Sequence, residues 1–208
     1  MPPRQPCFWL EPLPLQQPAC LSAAEQQWCA ALPLLQQPRY SSSRSQLRRH
    51  LAALWACEPE AVPLHSPPGQ VPRLAEGHGF VSISHSQQQL LTAWSPWPIG
   101  VDLEWEQRPL QAEPLARRFF PPQEWQRLAA LEPPLRRQAV LESWVRKEAA
   151  IKWRGTGIAQ DLRHWCWDSH REALIHLQQG WQPTSICRRE QGWLCGLAGD
   201  AVSQGIWG

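Results

Sequence analysis

The chain has 208 residues, 20 Lys and Arg against 18 Asp and Glu, and a formal net charge of +2. That length permits one large domain or two small ones, and the balanced charge lacks the broad basic field that nucleic-acid binding needs. No apolar run reaches the length of a membrane span, and seven cysteines with no CxxC pair and no apolar leader read as reduced thiols of a cytoplasmic protein.

Fourteen Trp and 22 Pro imply large buried rings and many short, punctuated segments. Phe8, Trp9 and Leu10 mark the first strand. Ser22-Ala-Ala-Glu25 reads as a capping box, opening a short helix that ends before Pro33. Pro38-Arg-Tyr-Ser-Ser-Ser reads as a loop, after which Ser42 or Ser43 caps a helix running to about Cys57. Leu47, Leu51, Leu54 and Trp55 lie on its buried side. Residues 58–79 hold five Pro and three Gly and read as an irregular surface connection. Strands follow at 80–84 and 90–94. Pro96 and Pro98 break the chain before a third.

Helices are expected at 114–120 and from Pro121, with Pro in the first turn of the second. Pro133 and Pro134 interrupt, and a long helix covers 135–153 with Gly155 as its C-cap. The tail predicts three short strands, near 165–167, 173–177 and 193–197. Strands and helices do not alternate regularly, so the class is α+β rather than a parallel βαβ sheet.

Two stretches carry chemistry. In Ile99-Gly-Val-Asp-Leu-Glu104 the period is two: Ile99, Val101 and Leu103 point one way, Gly100, Asp102 and Glu104 the other. Neighbouring carboxylates on one strand face repel unless a cation neutralises them. In Trp144-Val-Arg-Lys-Glu-Ala-Ala-Ile-Lys152, residues Trp144, Glu148 and Lys152 recur every four positions and share a helix face. If Glu148 faces Asp102 and Glu104, three hard oxygen donors without His or Cys favour Mg²⁺.

Together with Ser84-His85-Ser86, these two stretches resemble the 4′-phosphopantetheinyl transferase superfamily, in its larger single-chain type. The likeness runs from about Arg39 to Gly157. It implies two similar subdomains related by a pseudo-two-fold with the site between them, divided at the Pro96–Pro98 break into residues 1–97 and 98–208, and a chain that works as a monomer. It also implies transfer of the phosphopantetheine arm of coenzyme A to a serine of an acyl- or peptidyl-carrier protein, releasing adenosine 3′,5′-bisphosphate. By that resemblance Asp102, Glu104 and Glu148 hold Mg²⁺, and Glu148 takes the serine proton, directly or through a water. Lys147 and Lys152 face phosphates or the leaving group, and Ser84 and His85 hydrogen-bond phosphates. Arg48, in Arg39-Tyr40 followed by seven residues and Arg48, meets the coenzyme's 3′-phosphate. Where the family carries Gly-Lys-Pro, this chain has Gly69-Gln-Val-Pro72-Arg73; either Arg73 substitutes for the lysine or the coenzyme contact is weaker.

Each residue also has a plain structural reading. Asp102 and Glu104 suit a solvated strand face, Lys147, Glu148 and Lys152 an exposed helix face, Trp144 a core position, and Arg44, Arg48 and Arg49 a charged helix surface. Rival functions are a Mg²⁺-dependent hydrolase of nucleotide pyrophosphates and a non-catalytic coenzyme A-binding or assembly protein.

Overall fold

The computed structural model describes residues 3–14, 19–155 and 161–208. The elements in chain order are β1 (Cys7–Pro12), α1 (Ala23–Ala31), α2 (Gln37–Trp55), β2 (Leu64–His65), β3 (Arg73–Leu74), β4 (Phe80–Ser86), β5 (Gln89–Ser95), β6 (Ile99–Trp105), α3 (Ala112–Phe119), α4 (Pro122–Ala129), α5 (Pro133–Arg154), β7 (Trp165–Asp168), β8 (Ala173–His176), β9 (Ser185–Glu190), β10 (Trp193–Gly199) and β11 (Ile206–Trp207). The class is α+β. A four-stranded sheet has the order β11-β1-β5-β4, and a three-stranded one the order β6-β10-β9. Small antiparallel pairs, β2 with β3 and β7 with β8, lie beside them.

Helix α1 begins as its capping box dictates: the Ser22 hydroxyl accepts from the Glu25 N–H, and the Glu25 carboxylate accepts from the Ser22 N–H. Helix α2 starts earlier than the sequence suggests, at Gln37, so Tyr40, Ser42 and Ser43 are helical rather than loop. Pro38 sits in the first turn, where its missing N–H would have no helical partner anyway. The same holds for Pro133 and Pro134, which open α5 instead of interrupting before it. Gly155 ends α5 with φ +70°, a left-handed conformation that glycine adopts without steric cost.

Four strands escaped the sequence reading: the two-residue β2 and β3, inside the stretch read as irregular, and β9 and β11. Strand β9 is Ser-Ile-Cys-Arg-Arg-Glu at the sheet edge, and its polar composition hides the alternation of a half-buried strand. Strand β11 is two residues long and pairs in parallel with β1. It joins the four-stranded sheet, which therefore draws strands from both sides of residue 97.

Buried hydrophobic clusters hold these layers, three of them around the two sheets and α5. Phe8, Leu91 and Ala93 from one sheet meet Ile99, Val101, Leu103, Cys195 and Leu197 from the other. Leu47, Leu51 and Ala52 of α2 cover Cys7, Val81 and Trp94 on the far face of the first sheet. Ala149, Ala150 and Ile151 of α5 pack with Leu162, Trp165, Leu174 and Ala198. Strand β5 therefore faces core on both sides, which is why Leu-Leu-Thr-Ala-Trp lacks a polar stripe. Among the described residues no disulfide joins the cysteines, and no helix is long and apolar enough to cross a membrane.

Candidate active site

Strand β4 of the four-stranded sheet runs beside β6 of the three-stranded one. In Phe80-Val-Ser-Ile-Ser-His-Ser86 the serines alternate, so Ser82, Ser84 and Ser86 share one face. That face meets β6. The Ser82 hydroxyl accepts from the Val101 N–H at 3.0 Å, and the Ser84 hydroxyl from the Leu103 N–H at 3.2 Å. Ser84 donates to Asp102 Oδ1 at 2.8 Å, and Ser86 to Glu104 Oε2 at 3.2 Å. A serine row thus satisfies part of the β6 backbone and orients both carboxylates.

Helix α5 lies on the same strand from the other side. A Cβ at Gly100 would come within 1.9 Å of the Ala149 carbonyl oxygen, and one at Gly196 within 2.2 Å of the Val145 oxygen. Both glycines let the helix backbone approach the sheet directly. That approach brings Lys152 to Asp102 (Nζ to Oδ1, 2.7 Å) and to the Ser84 hydroxyl (3.0 Å). Glu148, one turn earlier, faces Asp102, whose negative charge acts on its carboxyl. Ser84, Asp102, Glu104, Glu148 and Lys152 are therefore gathered from three elements. Trp144, a further turn back, packs edge-on against Phe119 as part of the core.

The electrostatics are strained. Burial pushes the Glu148 carboxyl up to about 8, reinforced by the negative charges of Asp102 and Glu104 and opposed by Lys152. Glu104 is also raised, by burial first and by Asp102, with Arg108 and Ser86 opposing. Neighbouring negative charges and burial both disfavour ionisation of Glu148 and Glu104.

Donor chemistry and one orphaned atom suit a divalent metal. Asp102 is 3% exposed, and its Oδ2 is buried without a hydrogen-bond partner. Hard carboxylate oxygens with spare coordination fit Mg²⁺. The three groups do not yet converge: among the described residues no set of three or more His, Cys, Asp or Glu is disposed to hold a metal ion. Lys152 holds Asp102, and Arg108 holds Glu104.

Two expected phosphate ligands lie elsewhere. Arg48 is 0% exposed. Its guanidinium pairs with Glu25 and donates to the carbonyls of Pro59, Val62 and Leu64. It is buried away from both of the clefts that flank the gathered residues, and it ties α1, α2 and the 59–64 segment together. Lys147 is also fully buried, paired with Glu124 at 2.8 Å and lying 3.4 Å over the Phe120 ring. Burial lowers its ammonium to about 8, against the pull of Glu124. It points away from the carboxylates that its neighbour Glu148 faces, because adjacent helix positions diverge by a third of a turn.

Two clefts flank the gathered residues. One, of about 720 Å³, is lined by Arg39, Tyr40, Ser43, Arg44, Gly69, His85 and Gln87. Arg44 lies over the Tyr40 ring at 4.9 Å. His85 is exposed there, and its imidazole is held below the usual value by desolvation and by the positive charges of Arg39, Lys152 and Arg44. The other, of about 560 Å³, runs along Gly69, Gln70, Val71, Pro72, Arg73, Ser82, Ile83 and Lys152. Gly69 borders both, and Arg73 is in the second, on the Lys152 side. Arg39, named in sequence as part of the Arg-Tyr motif, and Arg44, read as a helix-surface charge, are the cations that line the first cleft; Tyr40 and Arg44 are one helical turn apart.

Residues 98–199, which span β6 to β10 and all of α5, match the sequence profile of the 4′-phosphopantetheinyl transferase superfamily. This part of the chain is similar to that superfamily. Among individual proteins, the chain is similar to the 4′-phosphopantetheinyl transferase HetI of a Nostoc species, 33% identical over 127 residues, covering 59% of this chain and 54% of the relative. It is also similar to the 4′-phosphopantetheinyl transferase Sfp of Bacillus subtilis, 29% identical over 108 residues, covering 52% of this chain and 46% of the relative. The matched chain thus spans about half the length of these relatives. The superfamily match contains Asp102, Glu104, Glu148 and Lys152, whereas Ser84, His85, Arg39 and Arg44 lie outside it.

Proposed function

We propose that this chain is a 4′-phosphopantetheinyl transferase. It moves the phosphopantetheine arm of coenzyme A onto a serine of an acyl- or peptidyl-carrier protein and releases adenosine 3′,5′-bisphosphate. The observation that carries this reading is the junction at Asp102, where Lys152 of α5 and Ser84 of β4 meet one carboxylate oxygen between the two sheets. That junction stands between a cleft bearing Arg39, Arg44 and His85 and a groove bearing Lys152. A pyrophosphate diester needs cations on both sides of the bond that breaks.

In this reading the 720 Å³ cleft takes the nucleotide end of the coenzyme, with Arg39, Arg44 and His85 on its phosphates. Arg44 and Arg39 take the place assigned by sequence to Arg48. Arginine suits the task because it stays charged and forks onto phosphate oxygens. Asp102, Glu104 and Glu148 would hold Mg²⁺, which would neutralise pyrophosphate oxygens and the charge on the departing nucleotide. Lys152 reaches the same oxygens from the helix, and Ser84 fixes the Asp102 carboxylate. Glu148 takes the proton of the carrier serine as its oxygen attacks the pantetheine-side phosphorus.

The test is the intact mass of a carrier protein incubated with this protein, coenzyme A and Mg²⁺. The expected result is a gain of one phosphopantetheine group with an equal amount of adenosine bisphosphate. Nucleotide release without a modified carrier would mean a hydrolase. Coenzyme binding without either product would mean a binding protein.

A further inference from the structure

We propose that Arg108 is a built-in counter-cation that competes with a divalent metal for Glu104, and so sets how tightly this site takes its metal. The inference rests on the metal reading of Asp102, Glu104 and Glu148.

Both Glu104 oxygens are engaged within the protein. Oε1 takes the Arg108 guanidinium in a close ion pair, and Oε2 accepts from the Ser86 hydroxyl at 3.2 Å. Arg108 follows β6 in a turn, and the turn is fixed from several directions. Its own N–H donates to the Trp105 carbonyl at 3.0 Å, and the Glu106 N–H to the Gly192 carbonyl at 3.0 Å. The Arg137 guanidinium, from α5, donates to the carbonyls of Glu106 (3.0 Å) and Arg108 (2.6 Å). The Glu106 carboxylate is held by Arg189 at 3.1 Å. A backbone pinned by α5 and by the β9 and β10 ends places the guanidinium on Glu104 rather than leaving it to wander.

The side chain, unlike the backbone, is able to leave. Arg108 is 29% exposed at its side chain and Glu104 17%, so a released guanidinium returns to water at small cost. Asp102 is different, being 4% exposed at its side chain, with a buried Oδ2 that has no hydrogen-bond partner. A metal arriving at Asp102 therefore finds one ligand oxygen without a partner and must win the next from Arg108. An ion pair at this level of exposure is worth up to roughly 1 kcal/mol, so removing it tightens metal binding roughly fivefold.

The experiment uses Mn²⁺ alone as the probe. Free and bound Mn²⁺ are measured by electron paramagnetic resonance on the wild-type chain, Arg108→Gln, Arg108→Lys and Asp102→Asn. Arg108→Gln is expected to bind roughly fivefold more tightly than wild type, with Arg108→Lys between them and Asp102→Asn losing the site. As a second readout, Mn²⁺ should raise the melting temperature of Arg108→Gln more than that of wild type, which also verifies that the variant is folded. Equal or weaker binding by Arg108→Gln, with binding still dependent on Asp102, overturns the counter-cation and leaves the metal site standing. Binding indifferent to Asp102→Asn, or absent from every form, overturns both.

Discussion

Helix α5 carries two lysines that each pair with a carboxylate, and the pairs are built for different ends. Lys147 and Glu124 are 0% and 2% exposed at their side chains, sealed by Phe120 and by Ser143, whose hydroxyl donates to Glu124. Lys152 and Asp102 are 22% and 4% exposed, and Lys152 opens onto a groove. The first pair joins α4 to α5, and the Glu124 oxygen that takes Lys147 also accepts from the Trp167 N–H of β7. The second pair joins α5 to the junction of the two sheets and leaves a carboxylate oxygen unused. A sealed pair holds structure, because removing one partner strands a charge in low dielectric. A pair with access to solvent is able to exchange its partner for a substrate phosphate or a metal.

The contrast is broken most forcefully at the sealed pair. Lys147→Ala should cost about 3–5 kcal/mol of folding stability, a fall in melting temperature of roughly 6–20 °C for a chain of this size. Arg48→Ala should cost a similar amount, because Glu25 would be left alone among the 59–64 carbonyls. Thermal denaturation checks both, and a small loss for either would mean that its pair is solvated. At the open pair the effect moves from stability to rate. Lys152→Ala should lower kcat with a carrier protein by about 10²-fold, or ~2.7 kcal/mol of transition-state stabilisation. A near-normal kcat would put Lys152 outside the chemistry.

Much of this arrangement is legible from residues alone. The period-two run fixes Gly100, Asp102 and Glu104 on one face of β6, and the period-four run fixes Glu148 and Lys152 on one face of α5. Their meeting also depends on Gly100, whose bare backbone admits the Ala149 carbonyl. Local pattern fails where a charge is buried by a distant segment. Arg48 has the spacing of a surface cation one turn after Arg44, but the Pro-rich 59–64 stretch folds over it. No periodicity announces that covering. Lys147 fails in the same manner, because its partner Glu124 belongs to another helix. The serine row at 82, 84 and 86 was visible as alternation, yet its role as a bridge between two sheets required the sheets. The edge strand β9 and the two-residue β11 escaped because one is too polar and the other too short for pattern to register.

A smaller effect sharpens the contrast on the coenzyme side. Arg44 faces a cleft where Arg48 faces carbonyls, so Arg44→Ala should weaken coenzyme A binding with little change in melting temperature. A lost charged hydrogen bond of about 1.5–3 kcal/mol corresponds to roughly one to two decades in affinity, measurable by calorimetry. Unchanged affinity would leave Arg44 as a helix-surface charge stacked on Tyr40.

The smallest effect concerns pH and the third carboxylate of the open site. Glu148 is raised to about 8 in the folded chain from an ordinary value of 4.5, by burial and then by Asp102. A folded-state value above the unfolded one means that the native chain keeps a proton the unfolded chain has given up. Stability from this group is therefore fully present below about 4.5, and it is lost as pH rises through about 8. Glu148→Gln carries a permanently neutral amide in the same space and should lack that loss. In chelator, the two melting curves should nearly coincide below about 4.5, the variant should become progressively the more stable as pH rises from there, and the gap should be complete at about 8. Because Asp102 and Glu148 titrate together, the crossover belongs to the pair rather than to one carboxyl. A divalent cation should shrink the gap by supplying the charge that the pair lacks. Melting temperatures between pH 5 and pH 9 decide it, and curves that stay parallel would show that Glu148 does not share a buried site with Asp102.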